Sequence, residues 1–185
     1  IMRIIGGLAR GTKLYTLDGL NTRPTLDRVR ESLFNIIQNN IRDSIVLDLF
    51  AGSGAIGLES ISRGAKKAIL CDKNKQAIGI INKNVKKLRV EGKVQILCID
   101  YEKFLKNTQE KFDFIYIDPP YNTNFISNSI KIINDRSLLS EDGIIIAETD
   151  EEERIKDEID KLKISINIYD TRKYGRARLI FMRKE

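Results

Sequence analysis

Ile45–Glu59 reads IVLDLFAGSGAIGLE, an apolar run that breaks into a glycine-rich turn and continues as a helical pattern. Its first six positions are apolar except for Asp48, which is typical of a strand buried on both faces of a parallel sheet. Gly52, Gly54 and Gly57 then allow a tight turn, a close approach to a ligand and close packing of the next helix. This pattern predicts the first strand, turn and helix of a cofactor-binding α/β fold.

Asp48 is the unusual residue of this strand, because a carboxylate among apolar side chains is costly to bury unless a positive group pairs with it. The glycine spacing alone is a weak sign of dinucleotide binding. A pyrophosphate beside Asp48 would be repelled, whereas S-adenosylmethionine (SAM) carries an ammonium and a sulfonium group and no phosphate. The candidate SAM-binding residues of this segment are Asp48, Phe50, Gly52 and Gly54. In the alternative interpretation, Asp48 only caps backbone amides at the turn.

The composition excludes several kinds of site. The chain has no histidine and two cysteines, which excludes Ser-His-Asp and Cys-His catalysis and every histidine-ligated metal. Cys71 and Cys98 fall in predicted buried strands and indicate reduced thiols rather than a disulfide framework or a zinc site. No apolar run reaches the roughly 20 residues of a membrane span, and the N-terminus does not read as an export signal. We expect a cytoplasmic protein with no metal and no membrane contact.

The positive charge lies at the two ends of the chain. The net charge is +6, yet residues 1–30 hold six basic and two acidic residues, and residues 171–185 hold six basic and one acidic residue. The residues between these two segments therefore carry a net negative charge. The positive charge of the two ends predicts a face that binds a polyanion. The candidate contacts are Arg3, Arg10, Arg23, Arg28, Arg30 and Arg176. Solvated charge that only keeps the protein soluble is the alternative.

The remaining pattern alternates strands and helices. Residues 3–17 predict a small twisted hairpin. Pro24 to about Gln38 predicts an amphipathic helix with Arg28 and Arg30 off its apolar stripe, which consists of Leu26, Val29, Leu33, Ile36 and Ile37. Further strands are predicted at Lys67–Cys71, Val94–Ile99, Phe112–Ile117, Gly143–Glu148, Ile164–Tyr169 and Ala177–Arg183, the last antiparallel because a glycine turn precedes it. We predict one domain with a mostly parallel seven-stranded sheet and helices on both faces, in which residues 1–40 extend a core of residues 41–185.

Two acidic residues follow the second and third predicted strands. Asp72 ends the second strand, where such folds bind the ribose hydroxyls of a nucleoside, although it could instead cap the next helix. Asp100 follows the third strand, from which it could reach an adenine ring.

Asp118-Pro119-Pro120-Tyr121 follows the strand Phe112–Ile117 directly. The two prolines fix the backbone and remove two amide donors, so this corner presents carbonyl groups that no helix or sheet uses. With the Asp118 carboxylate, these acceptors suit a substrate NH₂ group, and Tyr121 offers a flat surface on which a base can stack. The motif predicts transfer to the amino group of a base. A proline turn without function would explain the prolines but not the residues on either side.

The chain resembles the RsmD family of Rossmann-like, SAM-dependent methyltransferases, which modify the N2 amine of a guanine in bacterial 16S ribosomal RNA. The resemblance covers almost the whole chain. It rests on RIIGG at residues 3–7, RG at 10–11, RPT at 23–25, RVRESLFN at 28–35, LDLFAGSGAIGLE at 47–59, SRGA at 62–65, DPPY at 118–121 and YG at 174–175. DPPY also occurs in DNA adenine-N6 and protein glutamine methyltransferases and specifies only the reaction class.

The resemblance implies a role for each site residue. It places Asp48, Gly52 and Gly54 at the methionine end of SAM, Asp72 at the ribose, Asp100 near the adenine, and Asp118 and Tyr121 around a flipped guanine. Pro119 is a further candidate catalytic residue, and Pro120 is a candidate substrate contact. We hypothesise that the Asp118 carboxylate and the Pro119 carbonyl accept the two N–H bonds of the guanine amine. The expected product is S-adenosylhomocysteine, and the expected partner of a monomeric enzyme is 16S RNA within small ribosomal particles. The rival interpretations are a DNA adenine or protein glutamine methyltransferase, an NAD-type nucleotide-binding module, and a non-catalytic RNA-binding protein.

Overall fold

The structure is a computed structural model that describes residues 2–17 and 24–185. In the second range, side chains are described from residue 26 onward. Within these residues seven strands form one sheet in the order β3-β2-β1-β4-β5-β7-β6. The strands are β1 (Ile45–Asp48), β2 (Lys67–Asp72), β3 (Val94–Cys98), β4 (Phe112–Ile117), β5 (Leu139–Thr149), β6 (Ile166–Tyr174) and β7 (Ala177–Lys184). Strands β1 to β5 are parallel, and β7 is antiparallel to β5 and β6. The predicted sheet is confirmed.

Helices cover both faces of this sheet, as predicted. They are α1 (Pro24–Ile41), α2 (Ala55–Ser62), α3 (Lys75–Leu88), α4 (Tyr101–Asn107), α5 (Phe125–Asp135) and α6 (Glu152–Leu162). The first three pack on one face and the last three on the other, and each face has its own apolar core. Neighbouring residues of β1 enter opposite cores, because successive side chains of a strand point to opposite faces. None of the helices in the described ranges is long and apolar enough to cross a membrane.

The N-terminal segment forms the predicted hairpin only in part. Its two arms meet at one antiparallel bridge, between Arg3 and Lys13, and neither arm is a regular strand. The loop lies against the last turn of α2, where a Cβ atom on Gly7 would stand 1.9 Å from the Ser62 carbonyl oxygen. Only glycine fits there, and its φ of 77° is easily adopted by glycine alone.

Two buried polar side chains fasten this segment to the core. Glu59 is fully buried and accepts hydrogen bonds from the backbone amides of Ile5 (2.9 Å) and Gly6 (2.8 Å). Asn84 is also fully buried; its Oδ1 accepts the Tyr15 amide at 2.7 Å, and its Nδ2 donates to the Ser53 carbonyl at 2.9 Å. The N-terminal segment is therefore tied at both ends to the elements around the glycine turn.

Glu59→Gln is expected to lower the free energy of unfolding by about 2 kcal/mol, because charge-assisted hydrogen bonds to buried donors are lost. The same carboxylate also pairs with Arg63 at 2.9 Å. Chemical denaturation measures the effect. The control Glu102→Gln removes an exposed pair with Lys106 and should have a much smaller effect, because solvent screens such pairs. Equal effects of the two variants would contradict a fastening role for Glu59.

Some details of the predicted elements are wrong. Cys98 is exposed, because β3 is an edge strand with a partner on one side only, whereas Cys71 is buried as predicted. Helix α1 continues beyond Gln38 to Ile41. Along α1, Leu26 and Ile36 are 41% and 37% exposed although the apolar stripe was expected to bury them.

Candidate active site

The candidate site lies at the carboxyl edge of the sheet, beside β1 and β4. The strand order reverses at this point, and α/β sheets bind ligands in the crevice that such a reversal opens. Two adjoining cavities open there, with volumes of about 420 and 190 Å³. Phe50, Gly52 and Asp118 line both of them. A ligand could therefore extend from the larger cavity into the smaller one.

The larger cavity brings together most of the predicted site residues. Its lining comprises Leu49, Phe50, Gly52, Asp72, Lys73, Ile99, Asp100, Tyr101, Asp118, Pro119, Pro120, Tyr121 and Phe125. Three aromatic rings form one wall, with centroids 5.2 Å apart for Phe50 and Tyr101 and 4.7 Å apart for Tyr101 and Phe125. Tyr121 is 67% exposed at this cavity. The volume is in the range of small-molecule sites.

Asp72 supports the glycine turn from the end of β2. One of its carboxylate oxygens accepts the Gly52 amide at 3.0 Å, and the other accepts the Asn74 amide at 2.8 Å. The cap of α3 is Asn74, whose Oδ1 accepts the amide of Gln76 at 2.8 Å. The alternative that Asp72 caps this helix is therefore wrong. Each carboxylate oxygen keeps a second lone pair for a ligand in the larger cavity.

Asp100 and Gly54 each have a structural role. The Asp100 carboxylate caps α4 by accepting the amides of Glu102 (3.0 Å) and Lys103 (3.3 Å), and the residue also lines the larger cavity. Gly54 lies outside the lining of both cavities. A Cβ atom there would meet the Leu70 side chain at 2.9 Å, so this glycine permits α2 to pack against β2.

The smaller cavity contains a cluster of acidic groups. Asp48, Asp118 and Glu148 line it together with Tyr116 and Arg30. Burial raises the pKa of Asp48 to about 7, although the Gly57 amide donates to its carboxylate at 3.3 Å. The Tyr116 hydroxyl donates to Glu148, and burial raises the pKa of both groups.

Asp118 lies where the two cavities meet. Asp118 is exposed towards the two cavities, yet the surrounding protein limits the hydration of its carboxyl group. This desolvation, followed by the charges of Glu148 and Asp48, raises the pKa of Asp118 well above its usual range. Sequence reasoning missed Glu148, although it carries the signal that identified Asp48, a carboxylate within an apolar strand.

The structure places the predicted basic residues in different surroundings. Arg3, Arg28 and Arg176 are exposed, and Arg176 lies in the β6–β7 turn at the same sheet edge as the cavities. Arg10 is also exposed, but its loop is tied to the far end of α2. Arg23 lies outside the described residues.

Arg30 is different from these residues. It is only 4% exposed and pairs with Asp27 at 2.9 Å, so the prediction that it lies off the buried stripe of α1 is wrong. Arg30 follows Leu26 by four residues and precedes Leu33 by three, and residues at these spacings share one face of a helix. The spacing could therefore have identified it.

Known proteins similar to this chain cover most of its length. The sequence profile of the family described as "Conserved hypothetical protein 95" matches residues 2–183. The chain is 36% identical over 154 residues to ribosomal RNA small subunit methyltransferase D of Haemophilus influenzae, covering 82% of this chain and 80% of that protein. Against the protein of the same name from Escherichia coli K12, it is 36% identical over 151 residues, with coverages of 82% and 76%.

A solved structure with a similar fold agrees with these matches. The candidate methyltransferase yhhF of Escherichia coli superimposes with a TM-score of 0.84 at 28% identity, covering 100% of this chain and 98% of that one. The family profile and the two relatives each span far more than half of the chain. The chain therefore belongs to the conserved hypothetical protein 95 family, the RsmD family of ribosomal RNA methyltransferases.

Proposed function

We propose that this protein transfers a methyl group from SAM to the exocyclic N2 amine of a guanine in 16S ribosomal RNA. The observation that carries this proposal is the position of Asp118 and Pro119 on the wall of a cavity of nucleoside size, beside the glycine turn. The names of the relatives support an RNA substrate in the small ribosomal subunit. The guanine comes from the family resemblance.

The residues around the cavities suit SAM better than a dinucleotide. The smaller cavity holds three carboxyl groups and one guanidinium, which favours a ligand with cationic groups over a pyrophosphate. In the larger cavity, Asp72 would accept the ribose hydroxyls, and the aromatic wall of Phe50, Tyr101 and Phe125 would pack against the adenosine. When bound, SAM supplies a methyl group already activated by its sulfonium.

Asp118 and Pro119 would then act on the substrate. The guanine amine is a poor nucleophile because its lone pair is delocalised into the ring. Acceptance of its N–H bonds by the Asp118 carboxylate and the Pro119 carbonyl would orient that lone pair, and positioning of this kind contributes about 7–11 kcal/mol in favourable cases. The raised pKa makes Asp118 a better acceptor for the proton that the amine loses. Tyr121 would stack on the base.

The decisive experiment uses small ribosomal subunits from a strain that lacks the gene. Incubation with labelled SAM, followed by nucleoside analysis, should yield N2-methylguanosine in 16S RNA and S-adenosylhomocysteine. In parallel reactions with DNA or protein, methylated adenine or methylated glutamine would support the rival methyltransferases. Absence of product with RNA, DNA and protein would refute an enzymatic function. Naked 16S RNA in a parallel reaction tests whether the particle is required. A cytoplasmic monomer stays a prediction.

The exposed candidate arginines, Arg3, Arg10, Arg28 and Arg176, should make RNA binding depend strongly on salt. Four phosphate contacts, one for each exposed candidate arginine, would lower the affinity about 100-fold between about 50 and about 200 mM salt. Arg176→Ala should reduce the slope of log affinity against log salt by about 1. Lys131→Ala, at an exposed lysine of α5 paired with Asp135, is the control. An affinity that does not change with salt would refute the basic face.

A further inference from the structure

Arg30 carries an unexplained donor in the smaller cavity. Its Nη2 donates to Asp27 at 2.9 Å, but its Nη1 is buried and has no hydrogen-bond partner among the described residues. A buried donor without a partner is costly, and more so when it is charged. The ion pair with Asp27 accounts for one nitrogen only. The second nitrogen indicates an acceptor that a ligand would bring.

The surroundings of this donor limit what the ligand could be. Arg30 is 4% exposed, so the phosphate backbone of a bound RNA does not reach it from outside. The same cavity is lined by the carboxyl groups of Asp48, Asp118 and Glu148 and by the apolar residues Val29 and Leu33. A ligand that satisfies both signs of charge has a carboxylate at one point and a cation at another.

The glycine turn and the start of α2 contribute to the same cavity. Gly52, Ser53, Ala55 and Ile56 line it, and the first turn of a helix favours a negative group. The cavity joins the larger one at Gly52 and Asp118. A ligand whose nucleoside occupies the larger cavity could therefore place a short zwitterionic tail in the smaller one.

We propose that Arg30 binds the α-carboxylate at the methionine end of SAM, while the carboxylates of the smaller cavity hold its α-ammonium group. This inference rests on the proposed function, because it assumes that SAM is the ligand. The inference assigns Arg30 to the cofactor, whereas the positive charge of Arg30 alone would suggest a contact with RNA. The ion pair with Asp27 then serves to orient the guanidinium.

The test compares two ligands that differ only in the carboxylate: S-adenosylhomocysteine and its decarboxylated analogue, measured by calorimetry on the full chain. The wild type should bind S-adenosylhomocysteine about 50-fold more tightly than the analogue. Arg30→Met should weaken S-adenosylhomocysteine by about 50-fold, in the range of a charge-assisted contact, and change the analogue by less than about threefold. Arg30→Lys should restore part of the difference.

The outcomes separate this inference from the proposed function. Arg42→Met, at an exposed residue just beyond α1, should leave both affinities unchanged. If Arg30→Met loses affinity equally for the two ligands, the role of Arg30 is purely structural and the inference is overturned. The inference is also overturned if the variant binds S-adenosylhomocysteine as the wild type does but has a raised KM for RNA. If the variants do not fold, equal affinities of the wild type for the two ligands overturn it. A wild type that binds neither ligand would refute the proposed function itself.

Discussion

Asp118→Asn is expected to lower kcat for methyl transfer about 1,000-fold, while the affinity for S-adenosylhomocysteine changes less than about tenfold. Asparagine keeps the shape of the side chain but removes the charge that would accept the N–H bond and the proton of the guanine amine, and such acid–base contributions are worth about 10² to 10⁴ in rate. Single-turnover methylation of small subunits and calorimetry measure the two quantities. Asp142→Asn, at an exposed position early in β5, is the control.

The pH dependence of the reaction gives an independent check on Asp118. The active form is the carboxylate, and its pKa in the free protein is raised by desolvation, by Glu148 and by Asp48. Plotted against pH, kcat/KM should therefore fall as the pH drops through this raised pKa, well above the usual carboxyl range. In Asp118→Asn this limb should be absent. A variant that keeps both the limb and a kcat within about threefold of the wild type would show that another group accepts the proton.

Asp48→Asn should remove a large dependence of stability on pH. The pKa of Asp48 is raised from 3.8 to about 7 in the folded protein, so the folded state binds the proton more tightly than the unfolded state. The free-energy cost of burying the ionised Asp48 is absent below about pH 4. It grows as the pH rises and reaches its full value above about pH 7. Relative to the wild type, the variant should gain about 4 kcal/mol in free energy of unfolding between about pH 4 and about pH 8.

Urea denaturation of the two ligand-free proteins across this pH range measures that difference. The comparison cancels the titration of all groups that the two proteins share, apart from those that the charge of Asp48 affects, chiefly Asp118. A difference that stays constant with pH would show that Asp48 is ionised in the folded protein without cost. In the proposed function, the cationic groups of SAM offset this cost, so the residue that weakens the free protein strengthens the complex.

The parts of the fold that follow from short-range pattern could be predicted from the sequence. The strand Phe112–Ile117 has the predicted bounds because an apolar run meets two prolines, which end strand pairing. The first strand, the glycine turn and α2 also lie where the pattern of Ile45–Glu59 predicts them. Asp72 and Asp118 lie on one cavity because the carboxyl ends of parallel strands share one sheet edge.

The rest depends on contacts between distant residues, which no local pattern reports. Glu59 accepts a hydrogen bond from the Ile5 amide, 54 residues earlier in the chain. The charge of Arg30 suggested a position on the surface, although its spacing along α1 indicated the core. Glu148 joins the site only because β5 pairs with β4. The N-terminal hairpin has one bridge, and several of its backbone amides donate to side chains of α2 and α3, among them Gly6 to Glu59 and Tyr15 to Asn84.

The fastening of the N-terminal segment links the proposed RNA-facing surface to the cofactor site. Asn84 holds Tyr15 and the Ser53 carbonyl together, and the Ser53 hydroxyl donates to the Met2 sulfur at 3.2 Å. If a ligand shifts the glycine turn, these contacts would pass the shift to the N-terminal segment, which also carries Arg3 and Arg10. Thermodynamic reciprocity then requires that whatever factor RNA imposes on cofactor affinity, the cofactor imposes on RNA affinity.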